Sequence, residues 1–143
     1  VAWADLERIR VEVEAATFQA DFVIVLLHSG NEFIYQPSSV QIAAAHTAIE
    51  AGAVLVLGHH THVLQGVEFF AGGVIAYGLG DFAFADGGTH YSAIFNLWLD
   101  ASGVRQLEVI PMTLAPDGHP RPAVGTQAIQ ICDLVYELTD ELR

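Results

Sequence analysis

Lysine is absent from this chain, and five arginines are its only fixed cations. Against 17 acidic residues they leave a formal net charge of −12. That balance argues against a nucleic-acid partner, because phosphate contacts need a basic face. It argues equally against docking on an anionic membrane surface. The acidity is read as a solubility device, and an anion can still bind where a metal supplies local positive charge. Cysteine occurs once, at Cys132, so no disulfide forms within the chain and the redox compartment stays open. Its apolar helical surroundings, near Ile131 and Val135, predict a small core residue. The chain is 52% hydrophobic, yet no run approaches the ~20 apolar residues of a membrane helix. No signal peptide is expected. The chain opens on Val1, and a piece of a longer protein is the expectation. There is no Walker-type glycine loop and no dinucleotide fingerprint. Ser29 and Ser92 lack a nucleophile-elbow context.

What is present is enough for one domain of 143 residues around one core. Leu6, Ile9, Val13, Ala16 and Ala20 recur at helical spacing, so a helix is predicted over 5–20 with Asp5 as N-cap. Phe22 to Leu27 reads as a strand buried on both faces. A second helix starts at Pro37-Ser38-Ser39, runs to Ala51 and stops at Gly52. Val54 to Leu57 is the next buried strand, and Gly58 is read as its sharp turn. Parallel strands joined by a right-handed helical crossover are the default for this order. Two hairpins follow, one across Ala71-Gly72-Gly73 and one across Asp100 to Gly103. Phe95, Leu97 and Leu99 alternate with polar positions, which suits a sheet exposed on one face. Pro111 suggests an edge position. Ala115 to Pro122 reads as a loop and 127–142 as a last helix. There is no internal repeat and no low-complexity segment. The class is α/β.

The chemistry sits where strands end. His28 follows the first strand, and His59, His60 and His62 follow the second. Neighbouring parallel strands bring such loops to one sheet edge, where open α/β folds place ligands. One histidine at a strand end is most simply a loop cap; four on adjacent strand ends point to a metal. Imidazoles suit Zn²⁺, Mn²⁺ or Fe with a position left for water or substrate. Glu32 and Asp81 lie near the same edge, each a candidate imidazole partner or general base. The plainer readings are an exposed loop carboxylate for Glu32 and a turn residue for Asp81. His46 and His119 are read as structural or solvated, for want of polar company.

The residues Asp21 to Glu32, Gln41, Ala51-Gly52-Ala53, Gly58 to Gly66 and Tyr77 to Phe84 together resemble the bacterial capsule-synthesis CapA family. That family is linked to poly-γ-glutamate biosynthesis and is similar in fold to calcineurin-like metallophosphoesterases. Its His-Trp-Gly followed by Glu-Tyr resembles His28-Ser29-Gly30 and Glu32-Phe33. Its His-Pro-His resembles His60-Thr61-His62, and its Gly-Asn-Phe resembles Gly80-Asp81-Phe82. The resemblance implies a metallophosphatase-like partial sandwich: helix-strand-helix-strand, then β-hairpins and a C-terminal helix. It implies His28, His60 and His62 as metal ligands, with His59 more dispensable, and Glu32 and Asp81 as supporting or catalytic residues. A divalent Mn, Zn or Fe ion is implied, as half of a dinuclear site, because nothing before His28 provides the superfamily's early aspartates. Residues 1–143 would then be the C-terminal part of a larger domain. The implied partner is an anionic or phosphorylated small molecule or polymer, the implied chemistry that of a hydrolase, and the implied setting the bacterial cell surface. Two rivals stand beside this reading: a non-catalytic module with structural histidines, and a self-contained mononuclear zinc hydrolase. A truncated sheet would also leave a strand edge and an apolar face open, and a homodimer is expected from it.

Overall fold

Local signals set the helices. The structure, a computed structural model, describes residues 5–83 and 90–143. The Asp5 side chain accepts from the Arg8 backbone N–H at 3.1 Å and caps α1, Leu6–Thr17. Ser38 and Gln41 form a reciprocal capping box at the start of α2, Ser39–Glu50. Gly52 follows α2 at φ 109°, the left-handed position that glycine fills without a Cβ penalty. The last helix, α3, spans Thr126–Asp140.

Two sheets fill the space between helices. β1 (Ile24–His28), β2 (Leu55–His59), β3 (Val67–Phe70) and β4 (Gly73–Ala76) form the first, in the order β1-β2-β4-β3. β1, β2 and β4 are parallel, and β3 returns antiparallel to β4. β5 (Tyr91–Asp100), β6 (Gly103–Leu114) and β7 (Pro120–Pro122) form an antiparallel second sheet. The period of two divides the first sheet cleanly. Val56 and Ile75 face α1 and α2 with Val13, Ala45 and Ile49. Leu55 and Val74 face the second sheet and α3 with Ala93, Ile131 and Val135. The chain is thus mixed α/β, layered helix, sheet, then sheet with helix. Among the described residues no helix is long and apolar enough to cross a membrane.

Four expectations need correction. β1 is not buried on both faces: Ile24 is 47% and Leu26 69% exposed. It is the outermost strand of its sheet, and the core residues facing the second sheet come from β2, β3 and β4. Pro111 lies in β6, the middle strand, paired with Ala93. Its carbonyl accepts from Ala123 N–H, on the side of β7, so the missing proline donor does not interrupt the β5–β6 ladder. The proline-rich loop contains β7. Cys132 is exposed rather than core.

Gly58 also serves a purpose other than a turn. It lies inside β2, where an added Cβ would stand 1.8 Å from the Tyr77 carbonyl oxygen. Close approach of two backbones, not unusual φ, demands glycine here. Gly58→Ala therefore forces β2 away from the segment after β4. We expect a loss of at least about 3 kcal/mol or failure to fold; wild-type-like urea denaturation would contradict this.

Beside that contact, Tyr77 Oη donates to Glu68 Oε2 at 2.6 Å, and His46 Nε2 meets the same oxygen at 2.9 Å. The His46 ring stacks on Phe70 with centroids 3.7 Å apart, so His46 is structural but has both polar and aromatic company. Burial first, and the bond to Glu68 second, push the Tyr77 phenol well above its ordinary range. An acid whose folded pKa is raised favours folding while it is protonated in both states. That contribution is complete below the unfolded value near about 10 and falls away as pH rises beyond it. Stability should therefore begin to drop near about pH 10 and go on falling as pH rises further, and Tyr77→Phe should flatten that drop. Parallel pH-dependence of the two proteins in denaturant titrations would refute it.

Candidate functional site

The ends of β1 and β2 are in register, with His28 opposite His59. Beyond them the chain makes a loop that an ordinary L-residue backbone does not favour. His60 has φ 93° and His62 φ 57°. Histidine tolerates the second better than most residues do; the first costs on the order of 1–3 kcal/mol. Such a conformation persists only where its surroundings hold it. Here the Phe33 N–H donates to the Thr61 carbonyl at 2.8 Å. Thr61 Oγ1 donates to Val63 O at 3.2 Å. The Gln65 N–H donates to Gly78 O at 2.9 Å, and its side-chain amide donates to Ile34 O at 2.8 Å. Gln41 Nε2 completes the frame by donating to Gln65 Oε1 at 3.0 Å.

The result is a group of rings. The centroids of His28 and His60 lie 4.9 Å apart, and those of His60 and His62 6.4 Å apart. The three histidines singled out from their motifs therefore do come together. His59 does not stack with them but lines a cavity of about 550 Å³ with Asp81, Phe82 and Phe95. Asp81 is 9% exposed, and its Oδ1 stands 2.7 Å from His62 Nδ1. A carboxylate accepts, so His62 donates from Nδ1 and carries its lone pair on Nε2. The Ser92 hydroxyl, on β5, donates to the Asp81 carbonyl and ties this loop to the second sheet. Among the described residues, Asp81 Oδ2 is buried with no hydrogen-bond partner. Asp81 is thus more than a turn residue.

Glu32 is exposed in the loop after β1. Its neighbour Phe33 is the one that reaches the cluster, stacked 5.8 Å from the His62 ring with φ 61°. Phe33 and Gln65 lie within the motif stretches, but residue type and spacing assign neither of them a role at the site. The spacing of Gln41 and Gln65 from the two histidine loops carries no signal until α2 is packed under them. Phe84, the last residue of the Tyr77 to Phe84 stretch, lies outside the described residues. Among the described residues, no group of three or more His, Cys, Asp or Glu side chains is set as a ready metal-ligand group. His119 is exposed beside Asp117, and His90 is exposed ahead of β5.

Comparison with known proteins adds ancestry to this geometry. The model of the family described as bacterial capsule synthesis protein PGA_cap matches residues 1–86. The capsule biosynthesis protein CapA of Bacillus anthracis is 39% identical over 108 residues, 74% of this chain and 26% of that protein. The PGA biosynthesis protein CapA of Bacillus subtilis is 34% identical over 140 residues, 96% of this chain and 36% of that protein. A probable polyglutamine synthesis accessory protein of Mycobacterium tuberculosis is 34% identical over 73 residues, 51% of this chain and 19% of that protein. The chain spans about a quarter to a third of the length of the two CapA relatives. With more than half its residues matched by that one family model, the chain belongs to the bacterial capsule synthesis protein family PGA_cap.

Proposed function

We propose that this chain carries the histidine side of a divalent-metal site of metallophosphoesterase type, within a protein that assists capsule or poly-γ-glutamate synthesis. The observation that carries it is the convergence of His28, His60 and His62 with a buried carboxylate already on His62. The donor set fits a transition metal of the Mn, Zn or Fe kind, because neutral imidazoles suit those ions. The buried Asp81 Oδ2, without a partner among the described residues, fits as well, since such an oxygen is costly without a counter-charge. His28, His60 and His62 would hold the ion, which supplies Lewis acidity toward a phosphoryl or carbonyl oxygen.

The chain's own residues do the positioning. Asp81 fixes the His62 tautomer and the orientation of its ring. The strained turn at His60 presents its ring to His28. Glu32, exposed in the loop after β1, is kept as the candidate general base on the resemblance. Three imidazoles suffice for one ion only; a two-metal displacement needs further donors. The matching substrate is an anionic or phosphorylated small molecule or polymer, as a divalent metal would favour. A second reading, histidines as structural or partner-binding groups, is favoured by the lack of a ready ligand group among the described residues.

Elemental analysis of the purified chain separates the two. About one equivalent of Mn, Zn or Fe is expected, and His60→Ala with His62→Ala should abolish it. No metal after supplementation with Zn²⁺ or Mn²⁺ would leave the structural reading standing. Asp81→Ala should weaken metal affinity about 10- to 100-fold while leaving the three ligands present. Asp81→Asn, which keeps an acceptor for His62 Nδ1, should recover part of the loss. Unchanged affinity in Asp81→Ala would remove Asp81 from the site.

A further inference from the structure

A second concave site shares no residue with the histidine cluster. It lies where α3 crosses from the β3 edge to β6, with a volume of about 450 Å³. Its walls are apolar: Val67 of β3, Leu107 and Val109 of β6, Val135 of α3. Phe69 and Tyr136 stand at it with most of their surface in water, at 71% and 67% exposed. Size and lining are those of a small-molecule site, mostly apolar with a few polar groups.

Around this groove two arginines balance two aspartates, whereas the molecule as a whole is acidic. The chain has five arginines and a net charge of −12. Two of the five, Arg105 and Arg143, line the groove, against one carboxylate, Asp140. Arg105 holds Asp100 at 3.3 Å and Arg143 holds Asp140 at 3.2 Å, and all four side chains are more than half exposed. Ion pairs in water are worth little and exchange readily for a ligand's anion. Guanidinium favours a carboxylate or phosphate, with paired donors.

We propose that this groove binds an amphiphilic anion, an apolar body with one carboxylate or phosphate head held by Arg105 and Arg143. The apolar body displaces water from the Val67–Leu107–Val135 wall, and the exposed aromatic rings of Phe69 and Tyr136 close over it. Nothing in this site depends on the metal reading of the histidines.

Cys132 supplies the test. It lines the groove, is exposed, and is the chain's only thiol, so its modification rate reports occupancy. The intact chain is treated with a chromogenic disulfide in the presence of decanoate, decyl phosphate, decanol or acetate, all below self-association. At ten times its Kd, decanoate or decyl phosphate should slow modification about tenfold, the occupied fraction being protected. Comparing these two tells which head group is preferred. Decanol and acetate should protect far less. Arg105→Gln with Arg143→Gln should weaken protection by the anions about tenfold, with an unchanged thermal melt showing that the fold is intact. Protection by neither anion overturns the proposal. Decanol protecting as well as decanoate, or anion protection unchanged in the double variant, also overturns it.

Discussion

Gln41 donates from Nε2 to Gln65 Oε1 deep inside the molecule, both residues being 1% exposed. This bond joins α2 to the histidine loop, and both amides are otherwise engaged. Gln41 Oε1 accepts from Ser38 N–H, capping α2, while Gln65 Nε2 reaches Ile34 O in the loop after β1. Two buried amides with partners at both ends are rigid, because leaving any one unpaired costs the full desolvation of that group. Glycines make room for them. A Cβ on Gly30 would stand 2.6 Å from Gln41 Oε1, and one on Gly78 2.9 Å from Gln65 Cγ. The helix cap, both strand ends and the loop before Asp81 are thereby referred to one internal frame.

That frame explains how two histidines are kept in left-handed backbone. The favourable contacts lie below the loop, at Thr61, Gln65 and Gly78, while the unfavourable φ values lie at the rings above. Strain at a surface that the interior pins in place is a common arrangement at ligand sites. The second sheet contributes at one point, through Ser92 to Asp81, and so couples the carboxylate to a different layer from the one carrying the imidazoles.

Much of this was legible in residue order. Apolar runs and caps located α1, α2, β1 to β6 and α3 to within a few residues, because helical and strand periods are local properties. His28, His60 and His62 could be named together because parallel strands joined by one crossover must end at the same edge. What local pattern misread shares a single cause. Phe22 to Leu27 reads as doubly buried from its apolarity, yet β1 is outermost, and only sheet order decides that. Cys132 reads as core from its neighbours Ile131 and Val135, yet it falls on the side of α3 that faces the groove. Phe33 stands in a motif with no role attached, yet it stacks on His62.

Sequence alone determined the elements other than β7, their order, the family and the identity of the clustered histidines, since each is written in spacing or in motif. Tertiary structure decided which faces stay open, why Gly58 must be glycine, and that Asp81 rather than Glu32 meets an imidazole. Those depend on distances between residues far apart in the chain: Gly58 to Tyr77, Gln41 to Gln65, His62 to Asp81. Side-chain period fixes which way a residue points, but the layer that meets it is set by packing, and no local pattern encodes that partner.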